Sequence, residues 1–222
     1  MSAAPGRLVR TGTIGYREAW DLQRRLARAR REGEVEDLVW LLEHPPVYTT
    51  GRHGRREDLF LSDEMLIERG VEFVETDRGG QMTWHGPGQT TGYVIVDLRR
   101  HGVRPFVLAQ LEAMAEASGL EHAEVDAERM GVYVAGRKLG SVGLRVARGV
   151  AYHGLALNRD PDLGWFELMS ACGAPDVAAT SIVNEGGNAD RTLIESRLAV
   201  ALAARLDLDL RPGTLAEIAT PA

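Results

Sequence analysis

The stretch Gly131–Asn158, GVYVAGRKLGSVGLRVARGVAYHGLALN, decides how this chain folds. Two β-rich runs, Val132–Ala135 and Lys138–Val146, flank Gly136-Arg137. A glycine at such a junction supplies the positive φ of a tight hairpin turn. A third run, Val150–Asn158, follows a second turn at Arg148-Gly149. Lys138 opens the middle run, and Gly140, Ser141 and Gly143 follow it. Small residues weaken a strand and mark places where a ligand or another backbone comes close. A lysine beside such a floor serves either solvation or chemistry.

Outward from the hairpin, the remaining chain alternates strand and helix signals. Tyr16–Arg31 predicts a helix with Ala19, Leu22, Leu26 and Ala29 on one face and arginines on the other, closed by Gly33. Asp37–Glu43 (DLVWLLE) reads as a buried strand stopped by Pro45-Pro46. Ser62 caps a short helix that ends at Gly70, and Val71–Thr76 reads as a half-exposed strand. Asp77–Gly92 is dense in glycine and polar side chains and leads into the strand Tyr93–Leu98. Pro105 takes the first position of a helix that stops at Gly119. Asp162–Met169 reads as a short helix before Ala171-Cys172-Gly173. Thr192–Glu195 has capping-box spacing for a final helix with Ile194, Leu198, Leu202 and Leu206 on one stripe. The predicted fold class is α+β: one mixed, largely antiparallel sheet flanked by helices, as a single domain over residues 1–222.

Composition narrows the function classes. At 222 residues and 44% hydrophobic, the chain can bury a substantial core. A net charge of -6 gives a nucleic-acid partner no electrostatic support. No apolar run approaches the roughly 20 residues that span a membrane, and MSAAPGRLVR lacks a secretory apolar region. A cytoplasmic protein is expected. One cysteine excludes an internal disulfide and a Cys-rich zinc site. The six histidines show no metal-ligand spacing on a helix, so no metal is expected.

Three motif matches fail on context. Gly131-x-x-x-x-Gly136 has a strand-like interior, and Leu139 stands where a phosphate-binding loop needs Ser or Thr. Gly86-x-Gly88 precedes a strand rather than a helix. Leu139–Gly143 lacks the first glycine of a hydrolase elbow. Cys172 lies in a polar segment, SACGAPD, rather than in an apolar run. A free thiol titrates near about 8.5, so a nucleophilic cysteine needs a neighbouring cation or base. Lys138 can serve if the fold unites the two. His85 and His153 each precede a glycine, where imidazole can donate to a carbonyl.

Four motifs then fall in order: Arg78–Gln89 (RGGQMTWHGPGQ), Gly136–Gly143 (GRKLGSVG), Tyr152–Asn158 (YHGLALN) and Ala171-Cys172-Gly173. With them the chain resembles the octanoyltransferases of lipoate synthesis, the lipoyl(octanoyl) transferase family. Ala171 stands where many relatives carry proline. The resemblance implies the fold of the biotin and lipoate protein ligase catalytic domains. It also implies a two-step transfer without cofactor. Cys172 attacks an octanoyl thioester on acyl carrier protein, and a lysine ε-amine of a lipoyl domain then takes the octanoyl group as an amide. The acceptors implied are the lipoyl domains of 2-oxoacid dehydrogenase complexes and the glycine cleavage H protein.

The same resemblance assigns Lys138 as the cation that lowers the Cys172 pKa and moves protons. Arg78, Gly79, Gly80, Gln81, Met82, Thr83, Trp84 and His85 are implied to line the acyl channel. Ser141, Val142 and Gly143, with His153, Gly154, Leu155 and Ala156, are implied to form its opposite floor, their backbone N–H groups near the thioester oxygen. Arg52, Arg55 and Arg56, with Arg145 and Arg148, are candidates for docking an acidic carrier. The alternatives are an ATP-dependent lipoate or biotin-type ligase, a thioesterase, and a non-catalytic acyl-binding protein of the same fold.

Overall fold

The computed structural model describes residues 3–170 and 177–219. In chain order the elements are β1 (Ala4–Thr13), α1 (Tyr16–Glu32), β2 (Asp37–Glu43), β3 (Val47–Thr50), α2 (Asp63–Arg69), β4 (Glu72–Glu75), β5 (Met82–His85), β6 (Gln89–Asp97) and α3 (Val103–Ser118). There follow β7 (Glu124–Asp126), β8 (Gly131–Val134), β9 (Arg137–Ala147), β10 (Val150–Asn158), α4 (Gly164–Glu167), α5 (Arg191–Arg205), β11 (Leu208–Gly213) and α6 (Leu215–Ala219). The class is α+β and the pairing is largely antiparallel, but the strands form two sheets rather than one. Eight run in the order β11-β1-β2-β6-β10-β9-β8-β7, and three in the order β4-β3-β5.

The large sheet carries helices on both faces. On one, α3 and α5 bury Phe106, Leu111, Met114, Ile194, Leu198 and Leu202 against Val39, Val94 and Leu157. Each such side chain contributes about 1.5–3 kcal/mol through removal from water. On the other face α1 packs Ala19, Leu22 and Leu26 on Trp40, Tyr93 and Ile95. The small sheet has its own cluster around Tyr48, Met82 and Trp84, and its strands lie beside the start of α1, where Tyr16 meets Val47 and Val74.

Several boundaries differ from expectation. The hairpin turn is Ala135-Gly136, with φ of 48° and 78°, so β9 starts at Arg137 and Lys138 is its second residue. Both turn residues sit in the left-handed region, which matches the twist of the flanking strands. β6 begins at Gln89, because its polar first half faces a cavity rather than a core. Pro105 is the third helical residue of α3, where its missing N–H is still harmless. Asp190, not Thr192, caps α5 by accepting the Leu193 N–H at 2.7 Å, and α6 follows α5 as a further helix. Of Asp162–Met169 only Gly164–Glu167 is helical; beyond it the Ser170 N–H is taken by the Asp58 carbonyl at 2.7 Å.

Candidate active site

A cavity of about 960 Å³ opens between the large sheet and the small one, a size typical of small-ligand sites. Its floor is built from residues with little or no side chain: Ser141 and Gly143 of β9, Gly154 and Ala156 of β10, and Thr91 of β6. The register pairs Gly143 with Gly154 and Ser141 with Ala156, so these residues share one face. Val142 and Leu155 also line the cavity, although both contribute to the core behind it. The opposite wall is the loop Arg78-Gly79-Gly80-Gln81 together with Met82, Thr83 and His85 of β5. That loop rides on β9, the Gly79 N–H donating to the Leu144 carbonyl at 2.9 Å. The glycines of β9 thus mark the approach of another backbone.

Trp84 is the exception among the expected channel residues. Alternation along β5 turns it away, and its indole stacks on Trp165 at 6.1 Å and meets Phe166 edge-on at 5.4 Å. The expected N–H donors of the floor are also occupied. β10 is paired on both sides, and the Val142 N–H donates to the Met130 carbonyl at 3.0 Å. A Cβ at Gly154 would lie 2.2 Å from the Gly92 carbonyl oxygen. Gly154→Ala is therefore expected to cost about 2–3 kcal/mol through forced movement of paired backbone, measured as a lowered urea midpoint.

Lys138 reaches this cavity because of a bulge. Gly140 pairs with Val132 and Lys138 with Tyr133, leaving Leu139 as the extra residue. Leu139 drops fully into the core, and the side chain of Lys138 is turned to the cavity face. Its Nζ lies 5.6 Å from the Tyr133 ring centroid. Gly131 makes room for it, since a Cβ there would sit 2.8 Å from Lys138 Cε. Cys172, with Ala171 and Gly173, lies outside the described residues. The described chain on either side of it, Met169-Ser170 and Val177–Ala179, lines the same cavity.

The polar groups of the floor form a chain that sequence reasoning did not find, since its members come from four segments. His85 Nδ1 lies 2.7 Å from Gln89 Oε1, the Gln89 amide donates to Asn158 Oδ1 at 2.9 Å, and the Asn158 amide donates to the Thr180 carbonyl at 2.9 Å. Because the Gln89 oxygen is an acceptor, His85 carries its proton on Nδ1. Nearby, His44 Nδ1 donates to the Ile14 carbonyl and its Nε2 accepts from the Tyr93 hydroxyl, both at 2.6 Å. Tyr16 stacks on His85 at 5.7 Å.

Burial pushes His44 down to about 4 and, with the charge of His44 opposing it, His85 down to about 3. Both are neutral near pH 7. Unfolded, each titrates near 6.5, so below that pH the unfolded chain binds more protons. Stability is full above pH 6.5 and falls on acidification toward the folded values. Each histidine costs about 1.4 kcal/mol per pH unit in that window, and the urea midpoint is expected to drop between pH 7 and pH 5. A flat midpoint over that range would contradict the burial of neutral imidazoles.

At the far end of β10, His153 departs from the strand. Its φ of 63° is left-handed, a conformation costing about 1–3 kcal/mol in a non-glycine residue. Alternation would send its ring to the α3 face with Ala151 and Leu155. Instead it stacks on Tyr152 and faces Trp20 and Tyr93 on the α1 side. The diverted N–H is satisfied by Gln23 Oε1 at 2.9 Å. His153 Nε2 donates to Asp77 at 3.0 Å, and Tyr152 and Trp20 donate to the same carboxylate. Burial raises the Asp77 carboxyl, but these three donors outweigh it and hold it well below the usual carboxylate range. Burial keeps His153 neutral, so the link is a hydrogen bond rather than an ion pair.

The basic loop packs on the channel loop. The N–H groups of Gly51, Arg52 and His53 donate to the carbonyls of Gln81, Arg78 and Gly80, each at 3.1 Å. Arg52 and Arg55 are exposed. Arg56 is half-buried and held within the chain: it donates to the Leu59 and Leu61 carbonyls and to Asp63 and covers the Phe73 ring. Arg145 is half-buried and Arg148 exposed. Among the described residues no His, Cys, Asp and Glu side chains gather as a metal site, and no helix is long and apolar enough to cross a membrane.

A family model described as the lipoyl protein ligase A/B catalytic domain matches residues 15–199. The octanoyltransferase of Chloroflexus aggregans is 41% identical over 207 residues, 89% of this chain and 93% of that one. The octanoyltransferase of Alkalilimnicola ehrlichii is 43% identical over 195 residues, 85% of this chain and 86% of that one. A solved structure of a putative lipoate protein ligase from T. acidophilum with bound lipoic acid superposes with a TM-score of 0.80 at 14% identity, covering 97% of this chain and 91% of that one. At that identity the likeness is one of fold.

Proposed function

The chain belongs to the lipoyl protein ligase A/B catalytic domain family, with octanoyltransferases as its curated relatives, and from that membership we propose a ping-pong octanoyl transfer through a Cys172 thioester. The enzyme is an octanoyl transferase of lipoate biosynthesis. The Cys172 thiolate attacks the carbonyl of octanoyl-acyl carrier protein, the C–S bond to the carrier breaks, and the carrier thiol leaves with a proton from Lys138. The ε-amine of a lipoyl-domain lysine then attacks the enzyme thioester. It loses a proton to Lys138, and the C–S bond to Cys172 breaks as the amide forms. Exchange between thioesters is nearly balanced and the amide is the more stable product, so no nucleotide is needed.

The single observation that carries this reading is the placement of Lys138 in a cavity that the chain on both sides of Cys172 also lines. Ser170, anchored to Asp58, stands two residues before Cys172, and two residues of chain reach at most about 7 Å. An ammonium within about 4–6 Å of a thiol favours its thiolate. The floor of Gly143, Gly154 and Ala156 leaves depth for a saturated chain, with Arg78–Met82, Thr83 and His85 as the opposite wall. Intact mass after incubation with octanoyl-acyl carrier protein tests the reading: the enzyme should gain one octanoyl group.

For the donor, Arg52 and Arg55 stand exposed on the loop that packs against the channel, so an acidic carrier docked there delivers its thioester beside the cavity. Reversing both charges (Arg52→Glu with Arg55→Glu) is expected to raise KM for carrier-bound octanoate several-fold at low salt. KM for a small octanoyl thioester should stay as it is. An unchanged carrier KM would place docking elsewhere.

A further inference from the structure

Resting on the acyl-transfer reading above, we propose that Glu185, clamped between Thr180 and Arg137, is a positioning residue that sets how closely Lys138 approaches the cysteine-bearing segment. Lys138 is grafted onto the chain that returns from that segment. Its N–H donates to the Ala178 carbonyl at 2.8 Å, and its carbonyl accepts from the Thr180 N–H at 2.9 Å, with Ala179 bridged alongside it in parallel. Thr180 is fully buried, and each of its polar groups has a partner. Its N–H meets Lys138, its carbonyl takes the Asn158 amide, and its hydroxyl donates to Glu185 Oε1.

Glu185 completes a ring. Its two oxygens accept from Arg137 Nε at 3.0 Å and Nη2 at 2.9 Å, and Arg137 is bonded through the chain to Lys138. The circuit runs Lys138, Thr180, Glu185, Arg137 and back to Lys138. Within it the carboxylate is the shielded member, 10% exposed against 44% for Arg137. The Thr180 hydroxyl and then Arg137 hold the Glu185 carboxyl below its ordinary range. A forked pair of this kind fixes orientation as well as distance. None of Arg137, Thr180 and Glu185 lines the cavity, so the clamp acts on the reaction through the residues it holds, Lys138 and, by the Thr180 carbonyl, Asn158.

Distance matters because the attraction between ammonium and thiolate is steep at short range. At an effective dielectric of about 20, widening their separation from about 4 to about 5 Å lowers the thiolate-to-thiol ratio roughly fourfold. A loosened clamp should therefore act on the thiol's titration, which a merely structural role would leave alone.

The chain has one cysteine, so its alkylation by iodoacetamide reads that titration directly. Rates would be measured against pH for wild type, Lys138→Ala, Glu185→Gln, Thr180→Val and Thr180→Ser, with melting curves for each. Glu185→Gln and Thr180→Val should move the profile alkaline by about half a pH unit to one pH unit and slow alkylation roughly three- to tenfold on the acid side of the thiol's midpoint. Thr180→Ser, which keeps the hydroxyl, should keep the wild-type profile. If Glu185→Gln does not fold, Arg137→Ala on the exposed side of the clamp decides, with the same direction expected. A Lys138→Ala profile that shifts while the clamp variants superpose on wild type overturns the positioning role and leaves the transfer reading standing. A Lys138→Ala profile identical to wild type overturns the role of Lys138 on the thiol and the positioning role with it, while the thioester itself stands or falls on the intact-mass measurement.

Discussion

Cys172→Ala is expected to gain no octanoyl mass under conditions in which wild type gains one group per chain. Its transfer to a lipoyl domain should fall to background, at least about a thousandfold below wild type, because no other thiol exists in the chain. The same measurement separates the rivals. A thioesterase would acylate and then release free octanoate in place of octanoylated lipoyl domain. An ATP-dependent ligase would retain activity in the alanine variant and form an adenylate from free octanoate and ATP. A non-catalytic acyl-binding protein would never become acylated, even as wild type. Acylation of the Cys172→Ala protein at wild-type rate would remove the thioester intermediate altogether.

Lys138→Ala carries the second large effect. A thiolate held by a neighbouring ammonium titrates below the free thiol, so deleting the ammonium returns it toward about 8.5. Acylation at pH 7 should then fall by up to roughly 30-fold, since a thiol titrating near about 8.5 is only about 3% ionised at that pH. The sign is specific: the depressed thiol is ionised above its own pKa, so the deficit is largest near neutrality and shrinks as pH rises. Rates measured from pH 6 to pH 9.5 should converge at the alkaline end, with a residual gap from the lost proton transfers. A deficit independent of pH would mean that Lys138 does not act on the thiol's ionisation.

The parts of the fold that could be read in the chain are those stabilised by local pattern. Asp37–Glu43 and Val150–Asn158 are strands at the expected bounds, because continuous apolar runs between turn residues have few other uses. The helix from Tyr16 closes at Gly33 as its amphipathic period requires. β1 and β11 were not legible. Their parallel pairing joins residues some two hundred positions apart, and their arginines and prolines hide any strand period. The second sheet was missed for a related reason: β5 lies inside a glycine-rich segment and becomes a strand only by pairing with β3.

The site divides the same way. The floor glycines, the channel loop and Lys138 were visible as motifs, whereas Asp77, Gln89, His44 and Asn158 carried no local signal and act only through partners far along the chain. Trp84 shows the limit of motif reading, since it shares a motif with His85 yet faces the other side of its strand.

By itself the sequence determined the meander of β8, β9 and β10 and the family to which the chain belongs, because turn residues, apolar runs and ordered motifs are local properties. Only the tertiary structure decided which residues of those motifs face the cavity. One extra residue at Leu139 turns Lys138 inward, and one left-handed residue at His153 turns an imidazole to the opposite face. In a strand, side-chain direction alternates with every residue, so a bulge or a single reversed φ reassigns a face without changing a letter of the motif.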